Sequence, residues 1–186
     1  MITLGIDLGN KSRNSIAVID ENENVLEWSR ITYDGKTTTP LEHRKTICKQ
    51  IRAYIKKYHL TKKDYLVFEK VNLFMGGHIS KLSNIMSLAF IQATIINEFS
   101  KSIQIVEVPV VTWKSKVLGT RQASKSDSVA FVEKRYPEID LTIFVPHKRK
   151  ADEYIKDNDT ADAICIGIYG QREKTNELQK RLVNFT

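Results

Sequence analysis

Two short apolar runs of this chain each end in a carboxylate, and this pattern constrains the fold most strongly. Asp7 ends the run Ile-Thr-Leu-Gly-Ile-Asp, and Glu69 ends the run Tyr-Leu-Val-Phe-Glu. Short, almost wholly apolar runs predict strands in the interior of a sheet. A charge at the end of a buried strand is costly unless something positive meets it. We therefore expect a cation beside each of these strand ends.

A second pair of acids precedes a third apolar run. Asp159 and Asp162 stand three positions apart, directly before Ala-Ile-Cys-Ile-Gly-Ile. Residues i and i+3 of a helix are neighbours, so both carboxylates are predicted on one helix face. No single Lys or Arg is spaced to serve all four acids, and a divalent metal bound against a nucleic-acid phosphate is the simplest compensation. For the second pair alone, a favourable interaction with the helix dipole is the alternative.

Length and composition indicate a globular protein without a membrane partner. The 186 residues suit one domain, 1–186, with a sizeable core. No run reaches the roughly 20 apolar residues that span a bilayer, and the start lacks a signal-peptide pattern. Cys48 and Cys165 fall inside apolar helical patterns, which predicts two packed free thiols rather than a disulfide. A cytoplasmic location is therefore expected.

The positive charge of the chain is concentrated in two stretches. The net charge is +7, and residues 36–63 and 114–150 each hold nine Lys and Arg, against one and four acids. Clustered positive charge attracts a polyphosphate partner through counterion release. A solvated surface without a partner is the alternative explanation for charge alone.

Hydrophobic periodicity predicts an α/β fold. Strands are predicted at 2–7, 14–20, 24–33, 64–71 and 103–108, and helices at 41–58, 79–100, 112–118, 125–136 and 158–170, the last continuing as a polar helix over 171–183. Residues 138–156 are predicted to be irregular. Three antiparallel strands followed by alternating helices and strands imply a mixed sheet with helices on both faces.

Four motifs in chain order resemble the RuvC-like Holliday junction resolvases of the RNase H superfamily, most closely the bacteriophage forms. They are Gly5-Ile-Asp-Leu-Gly9, Val67-Phe-Glu-Lys70, the segment Lys114–Lys125 with its two terminal lysines, and Asp159-Thr-Ala-Asp162-Ala. The resemblance implies an RNase H-like fold, a homodimer, and Mg²⁺-dependent paired nicks at four-way DNA junctions, with other branched DNA as further substrates. A phage protein would act in the cytoplasm of its bacterial host.

The resemblance also implies a catalytic set: Asp7, Glu69, Asp159, Asp162, Lys114 and Lys125. Carboxylate oxygens are hard ligands, so the four acids suit two Mg²⁺ ions, with Mn²⁺ as a substitute. Two such ions could bracket a scissile phosphate, with Asp7 bridging them. The two lysines would face the DNA near the cut and hold phosphates or stabilise transition-state charge. No Cys/His cluster suggests zinc, and no small-molecule cofactor is expected.

Further DNA contacts are predicted from the loops and the basic stretches. The polar loop after the first strand is placed to touch the DNA backbone, although a plain turn explains it almost as well. The residues assigned to DNA are Asn10, Lys11, Ser12, Arg13, Phe74, His78, Lys116, Arg121, Lys148, Arg149 and Lys150.

Phe74 differs from the pattern of the cellular relatives. In those relatives a Phe shortly after the catalytic Glu stacks on a junction base. Here the position three past Glu69 is Asn72, and Phe74 is the nearest aromatic residue. A place in the core or in a dimer interface is therefore the alternative for Phe74.

The predicted long helix at 79–100 carries apolar residues over a wide arc. Part of this arc is expected to pack on the sheet, and part is available to a second subunit. Two cuts related by twofold symmetry need two active sites, which a C₂ dimer supplies.

Three other functions are compatible with parts of the pattern. Asp7-Leu-Gly9 also resembles the first phosphate loop of actin-like ATPases and sugar kinases, but those need two such domains and a second Asp-Gly-rich loop. A ribonuclease acting on RNA–DNA hybrids could use the same acids, because fold does not fix substrate. A catalytically silent DNA-binding module would use only the basic surface.

Overall fold

The computed structural model describes residues 1–9, 13–32, 39–71, 82–145 and 153–183. Its strands are β1 (Thr3–Asp7), β2 (Arg13–Ile19), β3 (Val25–Thr32), β4 (Tyr65–Glu69), β5 (Gln104–Val108), β6 (Thr142–Val145) and β7 (Glu153–Lys156). The first five form one sheet in the order β3-β2-β1-β4-β5. β1 pairs antiparallel with β2, and β2 with β3, whereas β4 and β5 run parallel to β1.

In the described ranges, five helices cover the two faces of this sheet. They are α1 (Pro40–Lys57), α2 (Leu82–Phe99), α3 (Val110–Leu118), α4 (Lys125–Arg135) and α5 (Asn158–Val183). One core cluster joins α1 and α2 to the sheet, and the other joins α3, α4 and α5 to the opposite face. Strand residues alternate between the two clusters: Leu66 and Phe68 belong to the first, Tyr65 and Val67 to the second. The predicted mixed sheet with helices on both faces is confirmed.

The prediction of an irregular segment at 138–156 is wrong in part. β6 and β7 pair antiparallel as a separate two-stranded sheet. Each strand has only four residues, and only alternate positions such as Ile143 and Ile155 are partly buried. Strands this short and this exposed leave too few apolar positions for a period-2 signal. Residues 146–152, which join them, lie outside the described part of the chain.

Close packing of α5 on β1 depends on a glycine. A Cβ atom at Gly5 would overlap the carbonyl oxygen of Ala163 and the backbone nitrogen of Gly167. The helix backbone therefore lies directly on the strand, which no other residue at position 5 would allow without movement. Because Gly5 is two residues before Asp7 and Ala163 follows Asp162, this contact brings the end of β1 to the start of α5.

Two further expectations concern the thiols and the membrane. Cys48 and Cys165 are buried and free, as predicted. Among the described residues, none of the helices has the length and apolar character needed to cross a bilayer. The assignment of residues 1–186 to a single domain stays a prediction.

Candidate active site

The carboxyl ends of two neighbouring parallel strands place Asp7 and Glu69 at one edge of the sheet. β1 and β4 pair in register through Gly5 with Val67 and Ile6 with Phe68, so the next residue of each strand is an acid. Side chains alternate along a strand, and Asp7 therefore points to the same face as Gly5, which is the face covered by α5. Glu69 follows the same alternation from Val67.

The start of α5 brings the other two acids to this edge. The pKa of Asp7 lies well above its ordinary value; burial is the largest cause, followed by repulsion from Glu69, Asp162 and Asp159 in that order. Asp162 is buried, whereas Asp7, Glu69 and Asp159 keep part of their surface accessible. Asp7 therefore lies near enough to the other three predicted acids to be repelled by each, and we call these four residues the acid cluster.

Glu69 is held by a tryptophan that the sequence analysis does not identify. The indole Nε1 of Trp113, fully buried on α3, donates to Glu69 Oε1 over 2.8 Å. This hydrogen bond lowers the pKa of Glu69, but burial raises it by more, so the pKa remains above its ordinary value. A buried indole N–H needs an acceptor, and this requirement is the one sequence signal that could have indicated a polar partner for Trp113.

Asp162 carries an unsatisfied oxygen. Burial raises the pKa of its carboxyl, while the neighbouring Ser128 hydroxyl and the lysines Lys114 and Lys125 lower it. Among the described residues, Asp162 Oδ1 and Ser128 Oγ are nevertheless both buried without a hydrogen-bonding partner. A buried carboxylate oxygen in this state is a favourable ligand for an added donor or cation.

Lys114 and Lys125 lie on the rim of the acid cluster. Lys125 lowers the pKa of Asp7, Glu69 and Asp162, which are three of the four acids. Lys114 Nζ donates to the carbonyl of Ala123 over 2.7 Å. The pKa values of the three acids remain raised, so burial and mutual repulsion outweigh both lysines.

Lys125 is exposed and begins α4 directly after a capping box. The backbone N–H and hydroxyl of Ser124 both donate to Asp127 Oδ2, over 2.6 and 2.7 Å. The cap fixes the backbone at the start of the helix, and the Lys125 side chain is exposed.

A buried ion pair anchors the N-terminal end of α5 to the sheet. Arg30 Nε donates to Asp157 Oδ2 over 3.0 Å, and its terminal nitrogen also contacts this oxygen. Asp157 is 1% exposed and accepts a bond from Thr160, whose hydroxyl lies 3.1 Å from Ser15 Oγ on β2. These contacts tie the turn before Asp159 to β2 and β3.

A second polar network holds the segment after Asp7. Gly9 N–H donates to Asn14 Oδ1 over 2.9 Å, and Asn14 Nδ2 lies 2.7 Å from His43 Nε2 on α1. Asn14 and His43 are both buried. Burial lowers the pKa of His43, so the imidazole is favoured in its neutral form and Nε2 can accept the bond.

The donor chemistry of the acid cluster fits a divalent cation, although the side chains do not form a closed ligand sphere. Four carboxylates suit Mg²⁺ or Mn²⁺, and their repulsion and the unpaired oxygen of Asp162 are what a bound cation would relieve. Within the described ranges, however, no three His, Cys, Asp or Glu side chains are grouped so that they could hold a metal ion. Binding would therefore require the carboxylates to rotate toward one another.

The other residues assigned to DNA have mixed positions. Lys116 pairs with Glu173 of α5 at 3.2 Å, and Arg121 is exposed in the turn after α3. For Arg13, the structure describes only the backbone. Eight further predicted contacts lie outside the described residues: Asn10, Lys11, Ser12, Phe74, His78, Lys148, Arg149 and Lys150.

Comparisons with known proteins identify the fold. No family model and no curated protein sequence matches the chain. Thermus thermophilus RuvC superposes with a TM-score of 0.61 at 11% identity, covering 96% of this chain and 97% of that chain. The chain has a RuvC-like fold.

Two further structures support this assignment. T. thermophilus RuvC in complex with Holliday junction substrate gives a TM-score of 0.62 at 11% identity, covering 95% and 96% of the two chains. The yeast mitochondrial Holliday junction resolvase Ydc2 gives 0.52 at 14% identity, covering 99% of this chain and 84% of that chain. The RuvC-like sheet and helices thus extend over almost the whole sequence.

Proposed function

We propose that this protein is a metal-dependent, structure-selective endodeoxyribonuclease. It would resolve four-way DNA junctions by paired symmetric nicks and cut other branched DNA. The observation that carries this proposal is the cluster of four acids at one edge of a RuvC-like sheet, in which Asp7 is repelled by the other three. An accessible cluster with excess negative charge suits a reaction in which cations and a DNA phosphate bind from solution.

The metal would be Mg²⁺, with Mn²⁺ as a substitute, held by Asp7, Glu69, Asp159 and Asp162. Two bound ions would supply an activated water and neutralise charge on the scissile phosphate. Trp113 fixes one oxygen of Glu69 and so restricts how this carboxylate can rotate. The Arg30–Asp157 pair sets the position of the helix end that carries the other two acids.

The two lysines would act on the DNA. Lys125, on an exposed and capped helix start, would bind a phosphate beside the cut and stabilise charge that develops there. Lys114, restrained by Ala123, would contribute a fixed positive charge. The two basic stretches would hold the arms of the junction, and binding should weaken steeply with added salt.

A homodimer would supply the second active site. On α2, Met86 is 47% and Phe90 53% exposed, and both lie on the helix face turned away from the sheet. We assign this face to the contact with a second copy, because two symmetric cuts need two sites. The bacteriophage type and action in the cytoplasm of a host bacterium complete the proposal; they rest on the sequence motifs alone.

The proposed activity is tested with three substrates: a four-way junction, a linear duplex of the same sequence and an RNA–DNA hybrid, each with Mg²⁺ or with EDTA. We expect symmetric nicks on the junction only, and only with Mg²⁺. Cleavage of the hybrid alone would identify a ribonuclease. Junction binding without cleavage in any metal would identify a silent binding module.

A further inference from the structure

The two-stranded sheet β6–β7 displays a pair of exposed aromatic side chains. Phe144 is 53% and Tyr154 75% exposed. They are direct cross-strand partners, and their ring centroids lie 5.4 Å apart at a tilt of 55°. Thr142 and Lys156 are the next pair on the same face and are joined by a hydrogen bond of 3.3 Å. This aromatic face therefore combines two rings in tilted contact with polar neighbours.

The aromatic pair contributes little to the core. The opposite side of the two-stranded sheet presents Ile143 and Ile155, which are partly buried. Leaving two rings in water forfeits the free energy of burying them, and paired exposed aromatics are typical of binding surfaces rather than of free surface. The rings are therefore available to a ligand that has a flat apolar face.

The aromatic face stands close to the acid cluster. Tyr154 precedes Asp159 by five positions, so the two residues are at most about 18 Å apart even for a fully extended chain. The spacing is also constrained, because the N–H of Asp157 donates to the carbonyl of Leu141 over 2.7 Å at the base of the two-stranded sheet. A strand of DNA at the acids is within reach of the rings.

We propose that Phe144 and Tyr154 form a stacking platform for an unpaired base of branched DNA beside the cleavage site. This inference rests on the proposed function. Nucleic acid is favoured over a protein partner by charge: the chain carries +7, and the sequence joining the two strands includes Lys148, Arg149 and Lys150. Every base has a π-face, so stacking needs no particular sequence. The platform would therefore select for unpaired bases, which a continuous duplex does not offer.

The inference is tested with an immobile four-way junction in EDTA, in which single thymines are replaced by 5-iodouracil. Ultraviolet light couples iodouracil to an aromatic side chain that stacks on it, and mass spectrometry locates the adduct. We expect adducts on Tyr154 or Phe144 when the label is at the crossover and none when it is in an arm. Tyr154→Leu should weaken junction binding about tenfold and remove the adduct, whereas Tyr154→Phe should preserve both.

Matched controls separate the outcomes. Trp28→Leu removes an aromatic side chain that is 39% exposed on β3 and should leave junction affinity unchanged. Unchanged thermal unfolding of each variant shows that the fold is intact. If the wild type binds the junction but Tyr154→Leu and Phe144→Leu bind equally well, the platform is refuted and the proposed function stands. If the wild type does not bind the junction, both proposals are refuted. Adducts equally frequent in the arms would also refute the platform.

Discussion

Two carboxylates near the start of α5 have opposite electrostatic surroundings. Asp157 is almost fully buried, and Arg30 and Thr160 satisfy its oxygens. Asp7 remains partly accessible, and three of the charged groups that act on it are acids. A buried charge that the fold needs is given a partner by the fold. For the acid cluster, which remains repulsive and partly accessible, we propose that the positive partners bind from solution.

The largest expected effect comes from changing Asp7, the acid that the other three repel. Asp7→Asn should reduce junction cleavage by about 10³-fold or more, because it removes a proposed cation ligand. Junction binding should be equal or tighter, because one negative charge near the phosphate is lost. Cleavage and binding are measured on the same labelled junction. Asp140→Asn, an exposed acid outside the cluster, is the control. A loss of binding in Asp7→Asn would contradict a metal-binding role.

Removing the cation that pairs with Asp157 should instead reduce the stability of the fold. Arg30→Met leaves Asp157 buried without its cation and should lower the free energy of unfolding by about 3 kcal/mol. We place the effect at the lower end for a broken buried pair because Thr160 still donates and Arg30 is 30% exposed. Arg52→Met breaks the exposed pair with Glu98 and should cost less than about 1 kcal/mol. Urea unfolding measures both, and equal costs would remove the distinction.

Lys125→Ala should have a smaller effect that falls on cleavage. We expect the cleavage rate of bound junction to fall about tenfold and affinity to change less than twofold, since this lysine acts on the acids rather than on the arms. Lys101→Ala, at an exposed position outside both basic stretches, is the control and should change neither rate nor affinity. An equal loss of rate and affinity would make Lys125 an ordinary phosphate contact.

The smallest effect is a pH dependence of stability in EDTA. The pKa of Asp7 is raised in the folded state, so the folded protein binds this proton more tightly than the unfolded chain. Stability should then fall as the pH rises from 3.8, the ordinary value, through the raised pKa. Wild type should lose more stability than Asp7→Asn over this range. His43 titrates in both proteins and cancels in the difference. Parallel pH profiles would show that the fold does not raise the pKa of Asp7.

The same contrast explains what the sequence can predict. Asp7 and Glu69 were found because each ends an apolar run, and the register of β1 with β4 then makes them neighbours. The mixed sheet was predicted from the hydrophobic periodicity and from the order of strands and helices along the chain. Each of the four acids stands at one end of an apolar run, so the sequence alone shows its position without knowledge of the tertiary structure.

The supporting contacts could not be predicted in this way. Arg30 and Asp157 are 127 positions apart, and nothing near either residue indicates the other. Trp113 contacts Glu69 because α3 packs on the sheet. Gly5 is required because the backbone of α5 packs directly on β1. The strands β6 and β7 are too short for their pattern to be distinguished from a loop. Partners of buried groups are decided by packing between distant elements, which periodicity does not encode.

The central claim is that the acid cluster receives its positive charge from bound divalent cations. Calorimetric titration of Mn²⁺ into wild-type protein without DNA tests it most directly, with Asp7→Asn and the exposed Asp140→Asn in parallel. The account predicts saturable binding to wild type and to Asp140→Asn, and binding at least tenfold weaker to Asp7→Asn. Equal binding by all three proteins, or no binding by the wild type, would contradict it.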